Sequence, residues 1–261
     1  MAILDVQGLS INLGGLKAVD NFSLTLEKNE IVGLIGPNGA GKTTVFNLLT
    51  GVYTPTAGTI TYIDANGKSW QIAGRKSWQT ARLGMTRTFQ NIRLFKRMTV
   101  LNNVRLAFHA SVKYSSVAAM LRLPSYWREE ARIEQEAIEL LRIFKLDSKR
   151  DEIASCLPYG EQRKLEIARA MAAKPQILLL DEPAAGMNPQ ETQELSRLIT
   201  FIRQQFGLTI LMIEHDMSLV MKICERILVI DYGELIAQGL PEEIRNNPQV
   251  IKAYLGEEVA I

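Results

Sequence analysis

The pattern of apolar and polar residues predicts a chain in which short buried strands alternate with helices. Ile31–Ile35 is a continuous apolar run, as expected of a strand that is covered on both faces. Phe22–Leu26 alternates apolar and polar residues, which is typical of a half-buried strand. Helical segments separate the later strands, and this alternation favours an α/β fold with a mostly parallel sheet. The other predicted strands are Ile3–Val6, Thr59–Ile63, Ser69–Ile72, Ile177–Asp181, Leu208–Ile213, Ile227–Ile230 and Glu234–Ala237.

A hairpin is predicted where Asp64-Ala-Asn-Gly67 separates two β-prone runs. Asn-Gly is a strong hairpin signal because both residues tolerate the positive φ of a tight turn.

A long helical stretch interrupts the strand pattern. Within Tyr126–Phe144, apolar residues recur at helical spacing and charged residues fill the other positions. A terminal helical region is predicted to open at Pro241 and to end near Leu255. The sequence therefore predicts an α/β core, formed by residues 1–90 and 173–261, that is interrupted by a helical insertion at residues 91–172.

Composition and charge limit the classes of function. Of 261 residues, 47% are hydrophobic and 22% are charged, which is typical of a globular protein with a core of its own. The 30 Lys and Arg nearly balance the 28 Asp and Glu, so no overall attraction to nucleic acid is expected. Cys156 and Cys224 stand in no metal-binding pattern and are interpreted as buried, reduced thiols. No signal peptide is predicted, and every apolar run is far shorter than the roughly 20 residues that span a membrane.

A glycine-rich loop follows the apolar run Ile31–Ile35. Its glycines let backbone N–H groups turn toward phosphate oxygens, and Lys42 can neutralise charge on the β and γ phosphates. Thr43 offers a hydroxyl to Mg²⁺, and a helix predicted over Lys42–Thr50 directs its positive end at the same place. The sequence therefore predicts a nucleoside triphosphate site. The segment matches G-x-x-x-x-G-K-[ST] and consists of Gly36, Pro37, Asn38, Gly39, Ala40, Gly41, Lys42, Thr43 and Thr44.

Two later strands end in residues that suit hydrolysis. Asp181 lies where a carboxylate would hold Mg²⁺, through water, and Glu182 is placed to act as general base toward the attacking water. His215 follows the strand Leu208–Ile213, and ligands bind at the carboxyl ends of strands in such sheets, so His215 is a candidate catalytic residue that could sense or contact the γ phosphate. His109 lies in the helical region without such a context and is interpreted as structural.

Together these motifs resemble an ATP-binding subunit of ABC transporters over essentially the whole chain. The resemblance implies a P-loop NTPase fold of ABC type, with a mostly parallel core sheet, an antiparallel β subdomain and a helical subdomain. Gln90 looks like the glutamine that, in this family, touches Mg²⁺ or the attacking water. Leu157–Gln162 looks like the signature motif, with Gly160 facing phosphate, and Ala185–Asn188 looks like the D-loop. ATP and Mg²⁺ are the implied cofactors.

Three segments resemble branched-chain amino acid importers more specifically. They are residues 87–95, 159–169 and 243–256. The extra helical stretch around Val112–Arg132 resembles the longer of the two ATPase subunits of these importers.

The sequence also departs from the family pattern. Pro158 replaces the signature serine, Tyr159 its first glycine and Asn188 the D-loop aspartate. Leu13 occupies the position at which an aromatic ring often stacks on adenine, and Val19 offers another apolar contact to the base.

The resemblance implies a set of partners. In this family two ATPase subunits form a head-to-tail dimer, so that Gly160 of one subunit completes the phosphate site of the other. The second subunit is a copy of this chain or a paralogue. Polytopic permease subunits and, indirectly, a solute-binding protein are the other implied partners. Attachment to the cytoplasmic face of the inner membrane, without a span, is expected.

Three alternatives remain open at this stage. The basic cluster Arg82, Arg87, Arg93, Lys96 and Arg97, with Phe89 and Phe95 interleaved, could bind nucleic acid, although none is expected given the near-neutral charge. A soluble ABC ATPase acting on ribosomes or DNA is a second class of protein. A phosphate-binding domain that never hydrolyses ATP is a third.

Overall fold

The computed structural model describes residues 2–255 except 109–111 and 113. His109 therefore lies outside the described residues. By their internal contacts, the residues divide into two compact units, one formed by residues 1–90 and 176–261 and the other by Asn91–Pro175.

The described residues of the first unit form ten strands in two sheets. Strands β1 and β2 extend well beyond their predicted cores Ile3–Val6 and Phe22–Leu26, because the two strands pair with each other along most of their length. The strands are β1 (Ala2–Leu13), β2 (Leu16–Glu27), β3 (Ile31–Ile35), β4 (Ala57–Ile63), β5 (Ser69–Gln71), β6 (Met85–Arg87), β7 (Ile177–Asp181), β8 (Thr209–Ile213), β9 (Arg226–Asp231) and β10 (Glu234–Gly239).

One sheet is antiparallel and the other is mostly parallel. The antiparallel sheet has the strand order β2-β1-β4-β5, and the larger sheet has the order β10-β9-β3-β8-β7-β6. In the larger sheet only the pair β9–β10 is antiparallel. The predicted fold class is therefore confirmed, including the antiparallel β part.

Helices of the first unit pack around these sheets. They are α1 (Lys42–Leu49), α2 (Ser77–Leu83), α7 (Pro189–Phe206), α8 (Met217–Ile223), α9 (Pro241–Arg245) and α10 (Pro248–Leu255). A single hydrophobic cluster joins buried side chains of both sheets with those of α1, so that the glycine-rich loop is anchored at both ends in the core. The sequence pattern did not predict α2 or β6, since both are only a few residues long.

The predicted hairpin forms between β4 and β5, but its turn differs from the expected one. Only Gly67 has a positive φ, of 77°, while Asn66 does not. The Asp64 carboxylate accepts hydrogen bonds from the backbone N–H groups of Asn66 and Lys68 at 2.9 and 3.0 Å. A side chain thus takes over part of the turn geometry that Asn-Gly was expected to supply.

The second unit is helical. Its helices are α3 (Val100–Phe108), α4 (Ser116–Met120), α5 (Pro124–Ile143) and α6 (Tyr159–Ala172), with two short 3₁₀ turns between α5 and α6. The apolar stripe predicted on α5 is buried, and Ile133, Ala137 and Leu141 have no exposed surface. Cys156 is exposed and Cys224 is buried, so the prediction of a buried thiol is wrong for Cys156. Among the described residues, no helix is both long and apolar enough to cross a membrane.

Candidate functional site

The glycine-rich loop connects β3 to the N-terminus of α1. Gly41 is the residue that caps this helix, and no side chain of the described residues accepts a hydrogen bond there. The N–H groups of a first helical turn have no partner within the helix, and an uncapped turn leaves them for an anion. The start of α1 is therefore a suitable phosphate cradle.

Two glycines of the loop cannot be replaced without moving the backbone. A Cβ atom on Gly36 would lie 2.0 Å from the carbonyl oxygen of Ile230, and Gly36 has φ 154°. A Cβ atom on Gly41, at φ 104°, would lie 2.7 Å from the carbonyl oxygen of Ala18. The neighbouring strands therefore pack directly against the loop backbone.

Lys42 is held inside the loop. Its side chain is buried, and Nζ donates hydrogen bonds to the carbonyl oxygens of Gly36 and Pro37, each at 2.7 Å. Burial lowers the pKa of Lys42, while the charges of Glu182 and Asp181 raise it. Buried Ala40 donates to the Pro37 carbonyl oxygen at 3.2 Å and so closes the loop on itself. The loop residues most accessible to a ligand are Asn38, Gly39 and Thr43, which are exposed, while Thr44 is half-buried.

Asp181 ends β7 in the interior of the first unit. Its side chain is 2% exposed, and Oδ2 lies 2.5 Å from a guanidinium nitrogen of Arg87. The other carboxylate oxygen, Oδ1, is buried and has no hydrogen-bond partner among the described residues. Arg87 therefore does not belong to an exposed basic surface, whereas Arg82, Arg93, Lys96 and Arg97 are exposed.

Glu182 is held from both sides by the two other residues that the sequence analysis assigns to catalysis. Gln90 Nε2 donates to Glu182 Oε2 at 2.9 Å, and His215 Nε2 lies 2.8 Å from Glu182 Oε1. The backbone of Glu182 adopts φ 47°, which is uncommon for a residue with a Cβ atom, and its N–H donates to the Ile213 carbonyl oxygen at 2.9 Å. Three segments that are distant in sequence thus meet at one carboxylate.

Glu214 connects the segments that follow β7 and β8 through backbone hydrogen bonds, and this role was not predicted from the sequence. Its buried carboxylate accepts backbone hydrogen bonds from Ala184 at 2.7 Å, His215 at 3.0 Å and Asp216 at 3.4 Å. Burial raises the pKa of Glu214, and these three backbone hydrogen bonds oppose the rise. The only sequence signal was its position at the end of β8, directly before His215.

The donor set at the loop suits a magnesium ion that arrives with phosphate. Within the described part of the chain, no three His, Cys, Asp or Glu residues cluster closely enough to hold a metal by themselves. Mg²⁺ in phosphate sites takes one or two protein oxygens and completes its shell with water and phosphate. The buried, unpartnered Oδ1 of Asp181 and the exposed Thr43 fit that requirement.

The two residues proposed to contact the base differ in exposure. Val19 is fully buried in the core, so it offers no surface to a ligand. Leu13, at the end of β1, is 39% exposed, and Leu16 across the hairpin is 71% exposed. Of the two predicted base contacts, only Leu13 is accessible.

The signature segment opens α6 in the helical unit. Pro158 is the residue before its first turn and provides no side-chain cap, and Gly160 is buried in that turn. Behind it, Arg163 and Glu166 form an ion pair at 2.9 Å with both side chains almost fully buried. The second carboxylate oxygen of Glu166 accepts a hydrogen bond from the Arg93 backbone N–H at 3.0 Å.

The D-loop ends at the start of α7. Asn188 accepts a hydrogen bond from the Glu191 N–H at 2.9 Å, and the Glu191 carboxylate accepts from the Asn188 N–H at 3.0 Å. This reciprocal cap needs a short side-chain oxygen, which aspartate and asparagine both supply.

A phosphate loop on a parallel sheet, with two carboxylates beside it, defines a P-loop nucleoside triphosphatase. Comparison with known proteins narrows this class. Residues 19–185 match the family described as ABC transporter, and residues 234–260 match the family described as branched-chain amino acid ATP-binding cassette transporter. The chain belongs to the ABC transporter family and is one of its ATP-binding ATPases.

Individual relatives agree with this assignment. The chain is 51% identical over 255 residues to the high-affinity branched-chain amino acid transport ATP-binding protein LivG of Escherichia coli strain K12, and 48% identical over 255 residues to the corresponding protein BraF of Pseudomonas aeruginosa. Both alignments cover 98% of each chain. Among solved structures, the ADP conformation of MJ1267, an ATP-binding cassette of an ABC transporter, is 28% identical with a TM-score of 0.83, over 98% of this chain and 100% of that one. The predicted resemblance to ATPase subunits of branched-chain amino acid importers is confirmed.

Proposed function

We propose that this chain hydrolyses MgATP to drive a membrane importer of branched-chain amino acids. The identity of the transported solute is inferred from the similar proteins, because no residue of the ATP site discriminates among transported solutes. Permease subunits would be membrane proteins, and the chain would bind them from the cytoplasmic face of the cell membrane. A solute-binding protein would act on the permease and so only indirectly on this chain.

The observation that carries the proposed chemistry is the arrangement around Glu182. A carboxylate whose two oxygens are fixed by Gln90 and His215 has a defined direction for accepting a proton from water. Lys42 and the first turn of α1 would hold the phosphates, and Thr43 and Asp181 would hold Mg²⁺, with Gln90 beside them. When bound, the metal would neutralise the charge that develops on the phosphates.

Gly160 is assigned to a different ATP site. We infer a head-to-tail dimer in which the N-terminus of α6 of one subunit faces the nucleotide of the other. The uncapped first turn of α6 supports this role, since its N–H groups suit an anion although Pro158 supplies neither a hydroxyl nor an N–H.

Purification from native membranes tests the partner assignment. The tagged chain should bring down polytopic membrane proteins, and the complex in proteoliposomes should accumulate leucine, isoleucine or valine only with MgATP inside. Co-purification with ribosomes or DNA, and no membrane protein, would overturn the importer assignment. No nucleic acid is expected, because the net charge is near neutral and Arg87 of the basic cluster is buried in an ion pair.

Glu182→Gln in the same complex tests the catalytic assignment. Loss of the general base should lower steady-state hydrolysis by about 10²–10⁴-fold. ATP binding should persist, and the dimer should become more stable because ATP is no longer consumed. Near-normal phosphate release would rule out Glu182 as the base.

A further inference from the structure

Arg87 lies at the end of β6, where three distant segments enclose its guanidinium group. The side chain is 5% exposed, and one terminal nitrogen lies 2.5 Å from Asp181 Oδ2. The other terminal nitrogen donates to Asn47 Oδ1, on α1, at 2.7 Å. The rings of Phe46 and Phe89 lie 5.3 and 5.1 Å from its central carbon. Helix α1, β6 and β7 therefore hold one cation against one carboxylate.

The two oxygens of Asp181 have different environments. Oδ2 is taken by Arg87, whereas Oδ1 is buried and has no hydrogen-bond partner among the described residues. Buried acceptors without a partner are rare, because leaving one costs free energy. Oδ1 is thus the oxygen that remains for a metal-bound water or a metal ion.

The positive charge of Arg87 affects both Asp181 and a metal ion that approaches it. Arginine stays protonated in proteins, so Arg87 is a fixed positive charge. It stabilises a buried carboxylate that would otherwise be uncompensated. The same charge repels a divalent cation that approaches Oδ1, because both groups are positive and they share one carboxylate.

We propose that Arg87 is a positioning residue that acts as the resident counter-cation of Asp181 and limits how tightly the site holds Mg²⁺. With Arg87 present, Asp181 keeps a cationic hydrogen-bond partner and a fixed orientation when no metal is bound. Mg²⁺ then binds well only together with the negative phosphates of a nucleotide, and it leaves with ADP. This inference rests on the proposed metal role of Asp181.

The test compares ADP binding with and without Mg²⁺ within each variant of the full-length chain. Calorimetric titration gives two dissociation constants for ADP, one in EDTA and one in excess Mg²⁺. The constant in EDTA divided by the constant in Mg²⁺ measures how much the metal contributes to ADP binding. A general loss of nucleotide affinity cancels in this ratio. Arg87→Gln should raise the ratio at least about tenfold, because the opposing charge is removed. Arg87→Lys keeps the charge and should leave the ratio within about threefold of the wild type.

Two further variants keep the outcomes distinct. Arg87→Met retains packing against the Phe46 and Phe89 rings and serves if Arg87→Gln does not fold. Asp181→Asn should bring the ratio close to one. If Asp181→Asn has that effect while neither neutral Arg87 variant raises the ratio, the counter-cation role is wrong and the metal role of Asp181 stands. If Asp181→Asn leaves the ratio unchanged, the metal assignment itself fails.

Discussion

Nε2 of His215 lies 2.8 Å from Oε1 of Glu182, across a gap of 33 positions in the sequence. Glu182 follows β7 and His215 follows β8, and β7 and β8 are hydrogen-bonded neighbours in the parallel sheet. The contact is therefore a direct product of strand order. Gln90 approaches the other carboxylate oxygen from the end of β6, the next strand in the same sheet.

His215→Ala should lower kcat for ATP hydrolysis by about 100-fold, because Glu182 loses the contact that fixes its Oε1 atom. KM for ATP should change little, since the hydrogen bond of His215 is to Glu182. His215→Gln retains a hydrogen-bond donor and should recover part of the lost rate. A variant with normal kcat and a raised KM would show that His215 serves nucleotide binding instead.

Gly36→Ala should destabilise the protein much more than Gly39→Ala. Both positions have positive φ, so both variants carry backbone strain of about 1–3 kcal/mol. Only the Cβ at position 36 collides, at 2.0 Å from the Ile230 carbonyl oxygen, while the one at position 39 meets nothing within 4 Å. Overpacking of this kind adds about 1–3 kcal/mol. Urea unfolding of both variants measures the difference, and equal losses would contradict the collision.

Glu214 should make stability depend on pH in a predictable direction. Burial raises its pKa above the ordinary value of 4.5. At pH below 4.5, Glu214 is protonated in both the folded and the unfolded chain. As pH rises further, Glu214 loses its proton first in the unfolded chain. Unfolding therefore becomes more favourable until the pH passes the raised pKa of Glu214 in the folded chain.

Glu214→Gln mimics the protonated form and removes this effect. The stability of the wild type relative to the variant should therefore fall as pH rises above 4.5, until the raised pKa of Glu214 in the folded chain is passed. Denaturant unfolding of both proteins at several pH values gives the difference, in which the other titrating groups cancel. A difference that is constant with pH would show that Glu214 ionises alike in both states.

Breaking the buried pair behind the signature segment should be costly. Arg163→Met alone leaves Glu166 charged and buried, which typically costs about 3–5 kcal/mol of unfolding free energy. The double variant Arg163→Met, Glu166→Leu should recover much of that loss, because both charges of the buried pair are removed together. A double-mutant cycle by urea unfolding measures the coupling, and additive effects would mean that the two charges do not stabilise each other.

Local sequence patterns were sufficient for the elements that carry the phosphate loop. Ile31–Ile35 forms a strand with the predicted bounds because a strand buried on both faces is apolar at every position. Lys42 begins α1 as predicted, since the motif itself fixes that boundary. The ends of β1 and β2 were not predictable in this way, because pairing extends them through polar residues.

The contacts that matter most to the site are long-range, and they could not be read from local patterns. Arg87 was grouped with neighbouring basic residues, yet its partner Asp181 lies 94 positions away. The hydrogen bond that Glu214 accepts from Ala184 depends on how the ends of β7 and β8 adjoin. The exposure of Val19 and Leu13 could not be predicted from local patterns either. The two residues lie on adjacent strands of one hairpin, and only the packing of the sheet decides which of them reaches the surface.

The hydrogen bonds of Lys42 to the carbonyl oxygens of Gly36 and Pro37 affect how much side-chain entropy Lys42 would lose when a nucleotide binds. An ammonium on a flexible stem normally loses side-chain entropy when a ligand fixes it. Here the stem is already buried and the cation already directed by the loop's own carbonyl groups. If Lys42 binds phosphate as proposed, an incoming phosphate would meet a charge that needs little further ordering. After phosphate leaves, the same two carbonyl oxygens would still accept hydrogen bonds from Lys42, so binding and release would require little rearrangement of this side chain.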